Sequence, residues 1–337
     1  MPLLRGVLSS LCLLLPVAGA DWNTRLAAEY LDARQKAWFA WPRAAKPGGP
    51  CMSCHTGVTY LLARPALRRA LHEEKPTAYE LGLLDALRAP VTQSDPPDSQ
   101  AAGVYAVLAA FFFPNDQRAL DRFWELQMRE GPDKGAWRWF SLKDDPWEMP
   151  ESIYYGAALA SLAISRMPDT THYAYQVREL ANYLRSQQAS QPLHNRLMYV
   201  WAASKDVGIR LPMVIESIEN EVWSRQEKDG GWAMQSLGPF KEHPQAPPST
   251  GSNAYATALV AFVLEQAGIP SSDTRLERAL AWLRSHQDPQ GGYWDAPSMN
   301  HVYPPDSMPR LFMRDAATAY AVLALLGADS GERVETR

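Results

Sequence analysis

Residues 276–294 read LERALAWLRSHQDPQGGYW, and residues 214–232 read VIESIENEVWSRQEKDGGW. Each is an amphipathic helical pattern that ends on Gln, followed by a Gly-Gly turn and an aromatic residue. A Pro-rich loop comes next, and then a second helix with almost no charge: RDAATAYAVLALLG at 314–327 and NAYATALVAFVLEQAG at 253–268. Self-similarity of this kind marks a repeat architecture. The unit recurs as ALDRFWELQ (119–127), a longer turn ending KGAW, and ESIYYGAALASLAI (151–164). Weaker copies pair YQVRELANYLRSQQ with LHNRLMYVWAAS, PTAYELGLLDALR with SQAAGVYAVLAAFF, and RLAAEYLDARQKAWF with TGVTYLLAR. Gln35, Gln127, Gln187, Gln226 and Gln287 mark a period of about 50 residues.

Six helical hairpins follow. The first helix of each has apolar residues at helical spacing and a charged face, so it is expected to lie half exposed. The second is rich in Ala, Leu, Tyr and Val, so it is expected to be buried on most sides. Outer amphipathic and inner apolar helices describe an all-α (α/α)6 toroid of six hairpins. An open solenoid is the alternative that the repeats alone leave standing.

The Gln-x3-Gly-x-aromatic turns, Gln226 to Trp232 and Gln287 to Tyr293, resemble the QW motifs of the squalene/terpene cyclase and protein prenyltransferase β-subunit superfamily. Gln127 to Trp137 is a stretched third copy. The resemblance covers most of residues 24–327 and implies the toroid. It does not carry that superfamily's chemistry across. The cyclase acid, Asp-x-Asp-Asp at the start of an inner helix, would fall on Arg314-Asp315-Ala316-Ala317, where two of the acids are Ala. Without paired carboxylates no strong general acid is poised, so a class II cyclase is not expected. The zinc set of the prenyltransferases lacks a suitable Cys. Asp144-Asp145-Pro146-Trp147-Glu148 reads as a solvated loop.

The composition is globular: of 337 residues 46% are hydrophobic and 21% charged, with net charge −4. A slightly acidic chain without a Lys/Arg run does not suit nucleic acid as a partner. Residues 1–20, MPLLRGVLSSLCLLLPVAGA, have one Arg, a short apolar run and Ala-Gly-Ala. That is the pattern of a cleavable signal peptide, with cleavage expected after Ala20. The rest, 21–328, is expected to form one toroid domain with a disordered tail at 329–337. Export to the periplasm or beyond is expected, and integral membrane insertion is not.

The leader takes Cys12 with it. The two remaining cysteines lie in Cys51-Met52-Ser53-Cys54-His55. Two thiols at this spacing, followed at once by His, form the attachment sequence of a c-type haem. The thiols form thioethers to the porphyrin edge, and the His supplies an axial nitrogen. One covalent haem c is therefore expected on Cys51 and Cys54, with His55 as proximal iron ligand. The loop of hairpin six, a neighbour of hairpin one in a closed ring, carries Met299, His301, Met308 and Met313, one of which is expected to supply the distal iron ligand or cover the distal face. His55 falls where other hairpins begin their inner helices, near Glu151, Asn195, Asn253 and Asp315. The haem is thus expected at one mouth of the toroid.

Because covalent haem is the most specific chemistry in the chain, the leading expectation is a monohaem cytochrome that exchanges electrons with a periplasmic partner. A second reading is a haem oxidoreductase acting on a small apolar molecule beside Tyr60, Tyr105, Tyr154, Tyr199, Tyr255 and Tyr320, with Glu151 or Asp315 as acid/base. A third is a non-redox, cyclase-like or glycan-active enzyme in which the haem is structural.

Overall fold

A computed structural model of the chain describes residues 22–46, 49–91, 99–142, 145–205, 208–240, 250–299, 302–305, 307–331 and 334. Twelve helices among these residues alternate between an outer and an inner ring. The outer helices are α1 (Thr24–Ala40), α3 (Ala78–Val91), α5 (Gln117–Glu125), α7 (Ala174–Gln187), α9 (Pro212–Ser224) and α11 (Thr274–Ser285). The inner ones are α2 (Gly57–Ala70), α4 (Gln100–Phe112), α6 (Ser152–Ile164), α8 (Leu193–Ala203), α10 (Ala254–Ala267) and α12 (Phe312–Ser330). A two-stranded ribbon, β1 (Ala45–Lys46) antiparallel to β2 (Gly49–Pro50), leads into α2. The signal-peptide residues 1–20 lie outside the described residues, as does His301.

Local chemistry sets the helix ends. The side chains of Asn23, Ser99, Asp116, Asn253 and Asp273 accept hydrogen bonds from backbone N–H groups in the first turn of α1, α4, α5, α10 and α11. Gly268, with φ of 101°, closes α10 in the left-handed conformation. The polarity pattern then sorts the rings. In α10 every residue from Ala254 to Gln266 is buried, whereas α9 buries only Ile215, Ile218 and Val222, one stripe of a helix. The stretch Pro309–Ser330 is long and apolar enough to cross a membrane by length and composition, but it is mostly buried as α12 at the core of the ring.

The repeated Gln residues turn out to be clamps between hairpins. The Gln226 amide donates to the Gly230 carbonyl of its own turn and to Arg275 O at the start of the next outer helix, both at 2.8 Å. Gln127 does the same with Gly135 O and Gln176 O, both at 2.9 Å. Gln287 bonds Gly292 O and Asn23 O, both at 3.0 Å, so its next outer helix is α1. The last hairpin is thereby tied to the first, and the ring is closed. Trp22 adds to this seam through Asp329 Oδ2, at 3.0 Å. Trp137, Trp232 and Trp294 are fully buried, and each indole N–H donates to the end of the preceding outer helix, at Phe123 O, Val222 O and Leu283 O. Gln35 departs from this scheme and donates to Thr56 O within its own hairpin.

At the far end of the ring, near the C-terminus of α10, Glu265 is buried with Oε1 unpartnered. Burial pushes its carboxyl up to about 8, with Arg284 pulling down and Asp329 pushing up. The helix C-terminus also disfavours negative charge there. An unfolded Glu titrates near 4.3, so the folded chain loses stability as pH rises from about 4 to about 8. Glu265→Gln is expected to match the parent below about pH 4 and to exceed it by about 2–4 kcal/mol at pH 9. Urea melts across that range check it, and a gain that does not change with pH would refute the assignment.

Candidate functional site

The segment 51–56 enters the mouth of the ring and is held at every step. Cys51 N–H donates to Ala44 O at 2.7 Å, and the Trp38 indole donates to Cys51 O at 2.9 Å. Met52 N–H donates to the Tyr105 hydroxyl at 2.9 Å. Ser53 Oγ accepts from the N–H groups of Thr56 and Gly57, at 3.1 and 3.0 Å, which starts α2. Neither cysteine is in a disulfide; Cys51 is half-buried and Cys54 buried. Burial pushes both thiols up, so both are protonated at neutral pH. The Cys54 thiol lies within electrostatic reach of Tyr155 and Tyr320.

His55 is half-buried as a residue, with its ring enclosed by neighbouring aromatics. Phe312 stacks on it at 3.7 Å between centroids, and Trp147 stands 5.5 Å away. Burial, helped by the charge of Arg34, holds the imidazole neutral. Its Nδ1 is shielded and has no partner among the described residues. Trp41 lies against Phe312 at 6.5 Å, so the half-buried residues Trp41, Phe312 and His55 form one aromatic cluster.

Asp315, at the start of α12, is buried and engaged on both oxygens. Oδ1 accepts from Arg34 Nε at 2.7 Å and from the Tyr30 hydroxyl at 2.8 Å. Oδ2 accepts from the second Arg34 nitrogen at 3.0 Å and from the Thr56 hydroxyl. Burial pushes the carboxyl above its ordinary range against the pull of these donors. The group links α1, α12 and the residue after His55. Sequence reading cast Asp315 as a free acid/base; its oxygens are instead committed to holding the seam. Glu151 differs: it is exposed at the start of α6 and its side chain caps nothing.

The candidate distal ligands of the sixth hairpin among the described residues have protein surroundings of their own. Met308 Sδ accepts from Arg34 at 2.9 Å, Met313 is buried in the core, and Met299 is half-buried against it. The expected tyrosine lining is also redrawn. Tyr60, Tyr154 and Tyr199 bond to Asp32, Leu184 O and Ile209 O, toward the outer ring, and Tyr105 serves Met52. Tyr255 and Tyr320 do pack together near the axis, and Tyr155, one position after the expected Tyr154, contacts His194 there. A shift of one residue turns a helical side chain by roughly 100°, and sequence periodicity on a wholly apolar helix does not specify that angle.

Sequence reading missed His194. It is fully buried, 2.9 Å from the Tyr255 hydroxyl. Asn195 donates to Glu151 O and Gln191 Oε1, which leaves its own oxygen, 3.2 Å away, to accept from His194 Nδ1. His194 Nε2 then accepts from Tyr255. Burial lowers the imidazole to about 4. Its place beside Asn195, already recognised as an inner-helix start, was the available signal.

No protein-family profile matches the chain, and no curated protein matches it. Among solved structures it resembles a glycosyl hydrolase family 88 protein from Bacteroides vulgatus, with TM-score 0.54 and 12% identity over 89% of this chain and 98% of that one. It resembles equally a UGL variant with dGlcA-Glc-Rha-Glc, with TM-score 0.54 and 13% identity over 91% of this chain and 96% of that one. At such identities the likeness establishes the fold, an α/α toroid. It also corrects the leading functional expectation. Among the described residues no group of three or more His, Cys, Asp or Glu side chains is arranged to hold a metal. Because the structural neighbours are glycosyl hydrolases and not cytochromes, the leading reading as an electron-transferring monohaem cytochrome is set aside.

Proposed function

We propose that the protein is a glycan-active enzyme of the α/α-toroid class, working at the mouth formed by the starts of the inner helices. One observation carries this reading: the half-buried aromatic residues Trp41 and Phe312, with His55 stacked on Phe312, gather at the mouth of a toroid with the fold of a glycosyl hydrolase family 88 protein. Apolar faces of sugar rings pack on such aromatic surfaces, while their hydroxyls seek polar groups at the edge. Glu151, an exposed carboxyl at the start of an inner helix, is the acid/base we assign to that mouth. Asp315 acts as a positioning group, fixing Thr56 and through it the backbone of His55. One structural neighbour is a UGL variant with dGlcA-Glc-Rha-Glc, and acidic oligosaccharides are the first class to test. Intrinsic Trp fluorescence with acidic and neutral oligosaccharide pools is expected to report saturable binding. Trp41→Ala should weaken it about tenfold, and Glu151→Gln should abolish cleavage while leaving binding. If no pool binds or is cleaved, the proposal fails.

A second reading concerns residues 51–55 alone. Two unpaired thiols, the outer one accessible, precede a neutral imidazole whose Nδ1 is shielded and unpartnered. These residues fit covalent haem, and we propose it here as a structural group of the enzyme. Cys51 and Cys54 would hold it and His55 would face its iron. Each S–H adds across one vinyl group of the porphyrin, forming a C–S bond and placing the hydrogen on the neighbouring carbon, with no net oxidation. A pyridine haemochrome spectrum that survives denaturation, and is lost in the Cys51→Ala, Cys54→Ala double variant, would support it. Colourless protein from a host with haem-attachment machinery would exclude it and leave the glycan reading intact.

A further inference from the structure

On the outer wall, away from the mouth, a cavity of about 480 Å³ opens beside α7. Among the described residues its polar lining consists of Thr170, Thr171, Arg178, Arg185 and the backbone at Gly208, with no acidic side chain. The Arg185 guanidinium donates to Gly208 O, and its Nε is shielded with no partner among the described residues. A shielded cationic donor without an acceptor is costly and points to a missing one. Of the acids that flank the lining in sequence, Asp169 is engaged with the Thr171 N–H at 2.8 Å and Glu179 with Lys134 at 2.5 Å, while Asp206 lies outside the described residues. Arg178 lies over the Tyr175 ring, 5.3 Å from its centre. The space far exceeds the roughly 30 Å³ of one water.

We propose that this cavity binds an organic oxyanion, a carboxylate, phosphate or sulfate carried on a sugar-sized body, with Arg185 and Arg178 as its charge partners and the threonine hydroxyls at its edge. Guanidinium groups match the planar, two-oxygen face of such anions. The cavity volume accommodates the body as well as the charged head. The site is independent of the reading of the mouth.

Calorimetric titration of the full chain with glucuronate, inorganic phosphate, inorganic sulfate and glucose tests this. Saturable binding of at least one anion and none of glucose is expected. Tighter binding of glucuronate assigns an organic carboxylate, and tighter binding of phosphate or sulfate assigns an ester of that acid; both support the site. Arg185→Met should weaken binding about tenfold or more. Arg178→Met, at an exposed position, tests the same point if Arg185→Met fails to fold. No anion binding by the parent, or binding unchanged in a folded variant, would overturn the proposal.

Discussion

Gly292→Ala is expected to lower the unfolding free energy by about 3–5 kcal/mol. Gly292 has φ of 71°, and a Cβ there would sit 2.3 Å from the carbonyl carbon of Leu26 and 2.4 Å from its oxygen. Neither is the end of a flexible side chain, so α1 would have to move away from the turn that the Gln287 clamp holds. Gly131 is the control. Its φ is 83°, but nothing lies within 4 Å of a Cβ there. Gly131→Ala meets only the backbone preference, about 1–2 kcal/mol. Urea denaturation of the two variants separates contact from strain, and equal losses would show that close approach at the seam contributes nothing. The same geometry recurs at Gly135 and Gly230, against the backbones of Glu179 and Arg278. The small turn residue of the repeat thus has a cause beyond its dihedral angle: the next outer helix lies directly against it.

Arg34→Met carries the second large effect. The substitution keeps much of the stem and removes the charge that faces Asp315. Breaking a buried pair from one side costs about 3–5 kcal/mol, because the remaining charge has lost its partner. The sign with pH follows from the carboxyl. Asp315 is already pushed up in the folded chain, and the loss of Arg34 pushes it further above the unfolded value near 3.9. A raised carboxyl favours the fold when protonated, so the deficit should be small below about pH 4 and grow toward neutral pH. Chemical melts at pH 4 and 7 read it directly. A deficit that is the same at both would mean that lost packing of the Arg34 stem, rather than the ion pair, accounts for the effect.

The functional outcome separates what a motif says from what its surroundings say. Cys51, Cys54 and His55 stand at the mouth where their position in the repeat put them, close to the start of an inner helix. The Met and Asp residues that ring closure was expected to bring around them have protein partners of their own. Met308 and Asp315 both answer to Arg34, a residue whose burial in an outer helix no hydropathy pattern announces. Trp147 and Tyr155 reach the axis from an irregular loop and from a helix apolar on all sides, and neither context has a period that would aim them.

The amino-acid pattern by itself determined the repeat: six hairpins, outer helices with one apolar stripe, inner helices apolar all round, and a Gln-Gly-aromatic turn between them. Those features are local, because burial periodicity, caps and positive-φ glycines act within a few residues. Closure, and with it the mouth, was decided by tertiary structure alone. The Gln287 amide meets Asn23, the Trp22 indole meets Asp329, and Arg34 meets Asp315 across 264, 307 and 281 residues of chain. Contacts at that separation leave no periodic trace in the sequence, and side-chain direction on an evenly apolar helix is set by the neighbours that pack against it.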